Sequence, residues 1–242
     1  MKFIKLVAFV VCFFFIHGIH AQRNPNNPYD GIGEQHNFAL DAFLTDYSKE
    51  SIGGQLTIET LVNYLCKKIG SVDCNTIRQA LGSQLFTDIK GKSLVESEGI
   101  FIERGYFTAR HGYFIQQIND IIEEHIQEDY QVCYKAFLSL EDQLMNDPQL
   151  SQYEKSSLLY AGAIGRYSTK FWKDIESGVA RYPSIGNPGG ELACCGWLKG
   201  LCQSDVKGAV SGGTVAGPPG ALISGAGSSM SSAATSFWHS LW

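Results

Sequence analysis

The sequence predicts an all-α protein, a helical bundle of five to six helices followed by a glycine-rich C-terminal segment that forms a helical hairpin or a flexible tail. Three observations support this fold class. Apolar residues recur at spacings of three and four along most of the chain, which is the period of an amphipathic helix. Alternating apolar and polar stretches, which would indicate strands, are scarce. Helix-starting and helix-ending residues also flank the periodic segments.

The N-terminus reads as a cleavable secretory signal peptide covering residues 1–21. Lys2 and Lys5 form a positive start, residues 6–16 form an apolar run, and Ala21 is a small residue before the expected cut. The alternative is an uncleaved anchor, but the run is shorter than the roughly 20 apolar residues that span a bilayer. We therefore expect an extracytoplasmic protein, located in the periplasm, in the cell envelope or outside the cell.

The charge of the mature chain argues against nucleic acid as the main partner. Removing the signal peptide takes away two lysines and leaves 17 basic and 24 acidic side chains, a net charge of −7. A strongly basic surface is the usual footprint of nucleic-acid binding. We divide the chain into a signal peptide at 1–21, a helical domain at 22–182, a cysteine-bearing linker at 183–205 and a glycine-rich segment at 206–242.

The first half of the mature chain predicts three helices. Asp30 can cap the first, Gly70 can end the second, and the third starts near Asp73 or Asn75. Their apolar faces carry Ile32, His36, Leu40, Phe43, Leu44 and Tyr47, then Ile58, Leu61, Val62, Leu65 and Ile69, and finally Ile77, Leu81 and Leu85.

The second half predicts two longer helices. The first runs from about Tyr113 to Met145 and ends before Pro148, because the residue before a proline is pushed out of the helical region. The next begins with a capping box, in which Ser151 is the cap and Glu154 stands three residues later, and ends at Tyr182-Pro183.

Six cysteines remain in the mature chain, and an even number in an exported protein favours disulfides. The candidates are Cys66, Cys74, Cys133, Cys194, Cys195 and Cys202. Cys66 and Cys74 stand at the end of one helix and the start of the next, so they can face each other across the turn. Free buried thiols are the alternative, and the spacings do not fit a zinc site. We expect no cofactor.

The C-terminal segment has no charged side chain from residue 208 onward, and its glycines recur with G-x-x-x-G spacing. Small residues at this spacing let helices pack closely, most familiarly in membranes. The segment can therefore pack on the domain as a hairpin folded at Pro218-Pro219, remain flexible, or support membrane or self-association. Candidate association residues are Gly208, Gly212, Gly213, Gly217, Trp238 and Trp242. Gly189-Gly190 adds a further alternative, a precursor of a bacteriocin-like peptide.

A structural motif at the mature N-terminus comprises Asn27, Pro28, Tyr29, Asp30 and His36. His36 lies on the apolar stripe of its helix, where it can hydrogen-bond the preceding loop and pin it. Metal binding and acid–base catalysis are the alternatives. The sequence contains no G-x-S-x-G elbow, P-loop or H-E-x-x-H motif. The spacing of its residues therefore predicts no catalytic or metal-binding residue.

Three stretches carry a resemblance to a known family. They are N-P-Y-D-x-x-G-x-x-H-N at 27–37, L-S-x-x-E-K-x-x-L-L-x-A with Y-S-x-x-F-W at 150–172, and D-V-x-G-A-x-x-G-G at 205–213. Together they resemble a group of uncharacterised exported proteins of Gram-negative bacteria, many of them lipoproteins. The resemblance implies export and helical architecture and no particular activity. The chain departs from the group because Val11, rather than a small residue, precedes Cys12.

The functional expectation is an exported, non-enzymatic helical protein that associates with the envelope or with its own copies through the glycine-rich tail. A second hypothesis is a binding module that uses residues 87–112 for recognition. Four glycines interrupt the helical period in that region, so we expect only one short helix there. A third hypothesis is a small enzyme with a site near His36, which requires an open pocket beside this side chain.

Overall fold

The computed structural model describes residues 22–49, 57–70, 72–180 and 195–240, and it confirms the all-α class. These ranges contain nine helices, where five or six were expected. In chain order they are α1 (Asp30–Lys49), α2 (Ile58–Lys68), α3 (Cys74–Leu81), α4 (Gln84–Asp88), α5 (Leu94–Glu103), α6 (Ala109–His125), α7 (Tyr130–Asn146), α8 (Gln152–Glu176) and α9 (Cys195–Ser240). The predicted signal peptide and Gly189-Gly190 lie outside the described residues.

The long helix expected from Tyr113 to Met145 is two helices, α6 and α7. The side chain of Asp129 accepts a hydrogen bond from the backbone of Gln131 and starts α7. Lys173 donates to the carbonyl oxygens of Ile126, at 2.7 Å, and Glu128. These contacts satisfy backbone groups at the break, which a helix end otherwise leaves without partners. The apolar period continues through the break because Ile126 stays buried.

The region 87–112 is more helical than the sequence predicted. It contains all of α5 and the first residues of α6. Ser93 and Glu96 form a capping box that starts α5, so most of the segment consists of helices with turns on either side of α5. The predicted third helix is also shorter, because Gly82 ends α3 and Leu85 belongs to α4.

The helix ends follow local signals in some places and tertiary contacts in others. The capping box of Ser151 and Glu154 is present, and Asp147 before Pro148 is extended, as predicted. Asp30 is the first residue of α1, but its carboxylate binds other segments, as described below, and does not cap the helix. α8 ends at Glu176, earlier than the predicted Tyr182-Pro183, because Gly178 closes the helix in a left-handed conformation with φ of 72°.

The glycine-rich segment forms the predicted helical hairpin, since α9 bends back on itself at Ala216 and Gly217. Gly217 has φ of 63° and ψ of −152°, a conformation open only to glycine, and Pro218 and Pro219 follow it. The first arm, 195–215, and the second arm, 218–240, both pack against the other helices, chiefly against α8, α3 and α1. The hairpin is therefore part of the central core.

The two arms of the hairpin touch through their backbones. A Cβ atom added to Gly208 would meet the carbonyl oxygen of Ser224 well inside contact distance, and one added to Gly212 would meet that of Gly220. Between and around the arms lies one large apolar core. Its hairpin members include Leu198, Leu201, Val206, Val210, Leu222, Ile223, Ala226 and Met230. The small residues thus serve packing within the chain.

Candidate functional site

The N-terminal motif anchors a buried ionic cluster. The carboxylate of Asp30 accepts a hydrogen bond from Nη2 of Arg166 at 2.5 Å and another from the hydroxyl of Tyr167 at 3.2 Å. Arg166 Nε also donates to Glu141 at 3.1 Å, and both of these side chains are completely buried. Burial raises the pKa of Glu141, while Arg166 acts against that rise. Breaking such a buried pair by removing one partner is costly, so the cluster fixes the motif to α7 and α8.

The remaining motif residues tie the same loop to α8. Asn27 donates from Nδ2 to the carbonyl oxygen of Leu159 at 3.1 Å. The hydroxyl of Tyr29 lies 3.0 Å from that of Ser156, and its ring packs edge-on against Tyr160. Pro28 is exposed. These contacts therefore hold the N-terminal loop against α8.

His36 belongs to a second buried cluster, centred on Asp205 of the hairpin. Its Nε2 atom lies 2.9 Å from Asp205 Oδ1. Asp205 Oδ2 also accepts from the Ser168 hydroxyl at 2.5 Å and from Trp172 Nε1 at 3.0 Å. All four side chains are fully buried. The three motif stretches at 27–37, 150–172 and 205–213 therefore meet in the interior.

Hydrogen-bond geometry defines the role of His36. Asn37 Nδ2 donates to the Tyr167 carbonyl, so its Oδ1 atom faces His36 Nδ1 at 3.1 Å. Both ring nitrogens thus face oxygen atoms. In a catalytic triad, histidine stands between serine and aspartate, but here Asp205 stands between His36 and Ser168. The cluster consequently joins α1, α8 and α9. The described residues enclose the His36 ring completely and give it none of the solvent access that catalysis there would require.

The cysteines whose side chains the structure describes comprise one disulfide-bonded pair and two free thiols. Cys66 and Cys74 form a disulfide across the turn between α2 and α3, with Cα atoms 5.2 Å apart. Cys133 and Cys202, the other described disulfide candidates, are free thiols buried in the core, which is the alternative that the sequence left open for them. Burial raises the pKa of the Cys133 thiol to about 11, which keeps it protonated and unreactive. Cys194 and the side chain of Cys195 lie outside the described residues.

The tail residues proposed for association have the following places. Gly208 and Gly212 face the second arm of the hairpin, Gly213 packs against the ring of Tyr160, and Gly217 forms the bend. The side chain of Trp238 and the whole of Trp242 lie outside the described residues. None of the helices in the described ranges is both long enough and apolar enough to cross a bilayer.

Metal ligands do not assemble in the part of the chain that the structure describes. No three His, Cys, Asp or Glu side chains come together there as ligands would. A surface depression of about 470 Å³ is lined by Asp88, Lys92, Ile100, Glu103 and Arg104. Two of its charged groups, Arg104 and Asp88, are paired with each other.

Three exposed tyrosines lie just before α6, early in α6 and in the first turn of α8. Tyr106, Tyr113 and Tyr153 are 43 %, 53 % and 46 % exposed. The Arg110 guanidinium lies 4.7 Å from the centre of the Tyr113 ring, and Tyr106 is near enough to Tyr153 to affect its ionisation. We call these four residues the tyrosine face. Exposed aromatic rings and arginine are typical of binding surfaces.

A buried stack of rings supports the tyrosine face. Tyr153 stacks on Phe107 with ring centres 5.5 Å apart, and Phe107 stacks on His111 at 3.7 Å with the rings parallel to within 1°. His111 Nδ1 lies 2.7 Å from Glu98 Oε1, and His111 is completely buried. Each ring fixes the next, so Tyr153 is held in place from below.

Glu154 links the two helix starts beneath this face. Its carboxylate accepts hydrogen bonds from the backbone and hydroxyl of Thr108, at 2.9 and 2.6 Å, and from those of Ser151, at 3.0 and 2.8 Å. Burial would raise the pKa of Glu154, but the hydrogen bonds outweigh it and bring the pKa to about 2. Arg110 is likewise fixed by Asp147, to which its Nε donates at 3.0 Å.

Sequence reasoning missed the tyrosine face. Tyr106 lies in the turn between α5 and α6, whereas Tyr113 lies on α6, so no helical spacing relates the two residues in the sequence. Gly105 and Gly112 also interrupted the helical pattern in this region. Tyr153 joins the face only through the packing of α8 against α6.

Comparisons with known proteins give no relative for this chain. No family model, no curated protein and no solved structure matches it.

Proposed function

We propose that this chain is an exported binding protein that takes its ligand on the tyrosine face. The observation that supports the proposal is that tyrosine rings are exposed to solvent here while neighbouring groups restrict their movement. Three tyrosines are about half exposed. The stack beneath Tyr153 holds that ring in place, and Arg110, which is bound to Asp147, lies against the ring of Tyr113. Binding to pre-positioned aromatic groups loses less conformational entropy than binding to mobile ones. The face includes Tyr106 from the region 87–112, which the sequence had suggested for recognition.

The glycine-rich tail has less support as the binding element. Gly208, Gly212 and Gly220 already pack between the two arms, Gly213 packs against Tyr160 of α8, and the second arm is buried from Gly220 to Met230. Association through Gly208 or Gly212 would require the hairpin to open. A catalytic role for His36 has less support for a similar reason, since a substrate cannot reach a fully enclosed ring.

The proposed function is tested with ¹⁵N-labelled protein comprising residues 22–242 and a panel of probes of different chemistry. The panel contains neutral and acidic oligosaccharides, a proline-rich peptide, and vesicles of phosphatidylethanolamine and phosphatidylglycerol. We expect at least one probe to shift the amide signals of residues 105–114 and 149–154. The double variant Tyr106→Ser/Tyr113→Ser should abolish these shifts.

Two control variants locate the effect. Phe38→Ser removes an exposed aromatic ring from α1, and Val179→Ser removes an exposed apolar side chain beyond the far end of α8. Neither should change binding. If no probe shifts the signals of the tyrosine face, or if binding survives in the double variant, the proposal is wrong.

Export is tested separately by fractionating the expressing cells and sequencing the N-terminus of the recovered protein. We expect a mature chain that starts at Gln22, outside the cytoplasm. A protein retained in the cytoplasm with residues 1–21 intact would contradict the export part of the proposal.

A further inference from the structure

We propose that the surface depression between α4 and α5 binds a short peptide that carries a free ammonium group and a free carboxylate. We call this depression the charged groove, and it is lined by Asp88, Lys92, Ile100, Glu103 and Arg104. None of these residues belongs to the tyrosine face, so the site is additional to the proposed function. Its volume, its unpaired charges and its length support the proposal.

The charged groove has the volume of a small-ligand site. It measures about 470 Å³, and small-molecule sites usually occupy about 300–1,000 Å³. Its two walls are α4, which ends at Asp88, and α5, and both helices pack against α9. An ion pair joins Asp88 to Arg104, the residue that ends α5. The walls therefore belong to the packed bundle.

Two opposite charges in the groove are available to a ligand. Lys92 and Glu103 are exposed, and neither side chain forms an ion pair or a hydrogen bond with the residues that the structure describes. Asp88 and Arg104 neutralise each other. A ligand that brings a carboxylate to Lys92 and an ammonium group to Glu103 completes both ion pairs. A polyanion or a polycation would be attracted by one of these charges and repelled by the other.

Neighbouring residues add to the positive charge at the Lys92 end. Lys207 on α9 donates from Nζ to the carbonyl oxygen of Lys92 at 2.6 Å. The Glu96 carboxylate accepts a hydrogen bond from the backbone of Ser93 at 2.8 Å, as part of the capping box of α5. Two ammonium groups therefore accompany one carboxylate here. At the other end, Glu103 is the charge that remains after the pairing of Asp88 with Arg104.

The length of the groove favours a peptide over a single amino acid. Lys92 stands two residues before α5, and Glu103 is the last residue of this ten-residue helix, which is about 15 Å long. Three extended peptide residues span about 10 Å, and the long side chains of Lys92 and Glu103 can reach the remainder. Ile100 is half-buried between the two ends. The ligand is therefore a peptide of about three residues with an apolar side chain in the middle.

The test is a titration of ¹⁵N-labelled protein comprising residues 22–242, followed by the amide signals. The probe is the tripeptide Ala-Leu-Ala with free ends. Its N-acetyl form lacks the ammonium group, its C-terminal amide form lacks the carboxylate, and free leucine is the short comparison. We expect the uncapped tripeptide to shift the signals of residues 88–92 and 100–104. Each capped form should bind at least about threefold more weakly, because each loses one exposed ion pair.

Two variants assign the ends of the peptide. Glu103→Gln should remove the preference for the uncapped tripeptide over the N-acetyl form, and Lys92→Met should remove the preference over the amide form. Each variant should keep the preference that the other removes, as in a double-mutant cycle. The controls Glu124→Gln on α6 and Lys135→Met on α7 remove exposed charges elsewhere and should match the unsubstituted protein. Circular dichroism establishes that each variant is folded.

Four results would overturn the proposal. The first is that the tripeptide leaves the signals of residues 88–92 and 100–104 unchanged, and the second is that the capped forms bind as tightly as the uncapped one. The third is that free leucine binds as tightly as the tripeptide, since the groove would then not take a peptide. The fourth is that both preferences survive in both variants. The proposed function at the tyrosine face is decided by its own test.

Discussion

Glu154 links the start of α6 to the start of α8 through hydrogen bonds to Thr108 and Ser151. Its neighbour Tyr153 belongs to the tyrosine face. The Glu154 carboxylate collects four hydrogen bonds from Thr108 and Ser151 while the residue is only 4 % exposed. A carboxylate that accepts several hydrogen bonds is strongly favoured over its protonated form. The geometry of the corner is therefore linked to the ionisation of one side chain.

The first prediction concerns this ionisation. The pKa of Glu154 is about 2 in the folded protein, compared with an ordinary value of 4.5. A lowered folded-state pKa stabilises the fold above the unfolded-state pKa, and this contribution is lost as the pH falls from about 4.5 to about 2. Glu154→Gln should lower the free energy of unfolding at pH 7 by about 2–3 kcal/mol. It should also flatten the loss of stability between these pH values, measured by urea unfolding.

The matched control for that prediction is Glu124→Gln, which neutralises an exposed carboxylate on α6. This variant should keep the stability and the acid profile of the unsubstituted protein. Equal acid profiles for the Glu154 and Glu124 variants would show that Glu154 does not supply the linkage.

At the scale of elements, the close contact between the two arms of α9 determines where the hairpin can tolerate side chains. The backbone of Gly212 lies directly against the carbonyl group of Gly220. A side chain there would meet backbone, which cannot rotate away as a flexible side chain can. Gly200 on the first arm has open space around its Cβ position.

The second prediction compares these two glycines. Gly212→Ala should destabilise the protein by about 3 kcal/mol or more, because the arms must separate to admit the methyl group. Gly200→Ala should stabilise it by about 0.5–1 kcal/mol, because alanine is the better helix former. Urea unfolding monitored by circular dichroism measures both. Similar effects at the two positions would mean that the arms do not touch as described.

The elements also show why parts of the fold could be predicted from the sequence. The capping box at Ser151 and the end of α7 before Pro148 depend on neighbouring residues, so they were predicted correctly. The break between α6 and α7 was not, because the partner of its carbonyl groups is Lys173, more than 40 positions away. Neither was the pairing of His36 with Asp205, which are 169 positions apart.

In the candidate site, too, features set by neighbouring residues were predictable and features set by distant contacts were not. The sequence suggested recognition near residues 87–112, but as a loop, and the tyrosine face arises from helix starts that packing brings together. The disulfide between Cys66 and Cys74 spans one turn and was suggested by position. The free thiols of Cys133 and Cys202 depend on the enclosure of both in the core, which cysteine spacing alone does not reveal.

At the scale of the whole molecule, the glycine-rich segment is a central part of the bundle. Asp205 on its first arm receives three hydrogen bonds from α1 and α8. Its second arm is buried almost continuously from Gly220 to Met230. Removing the segment would expose the apolar faces of the helices around it and leave His36 without its carboxylate partner.

The last prediction follows from this position. A chain truncated after Gly190 should lose its cooperative thermal transition and bind a hydrophobic dye, because most small domains fold as a single unit and this one loses the middle of its core. The matched control carries a protease site inserted between residues 183 and 190. After cleavage, its two fragments should elute together in size-exclusion chromatography and keep a cooperative thermal transition, because the hairpin remains packed in the bundle. If the truncated chain instead melts like the full protein, the segment is an appendage, and its burial does not stabilise the bundle.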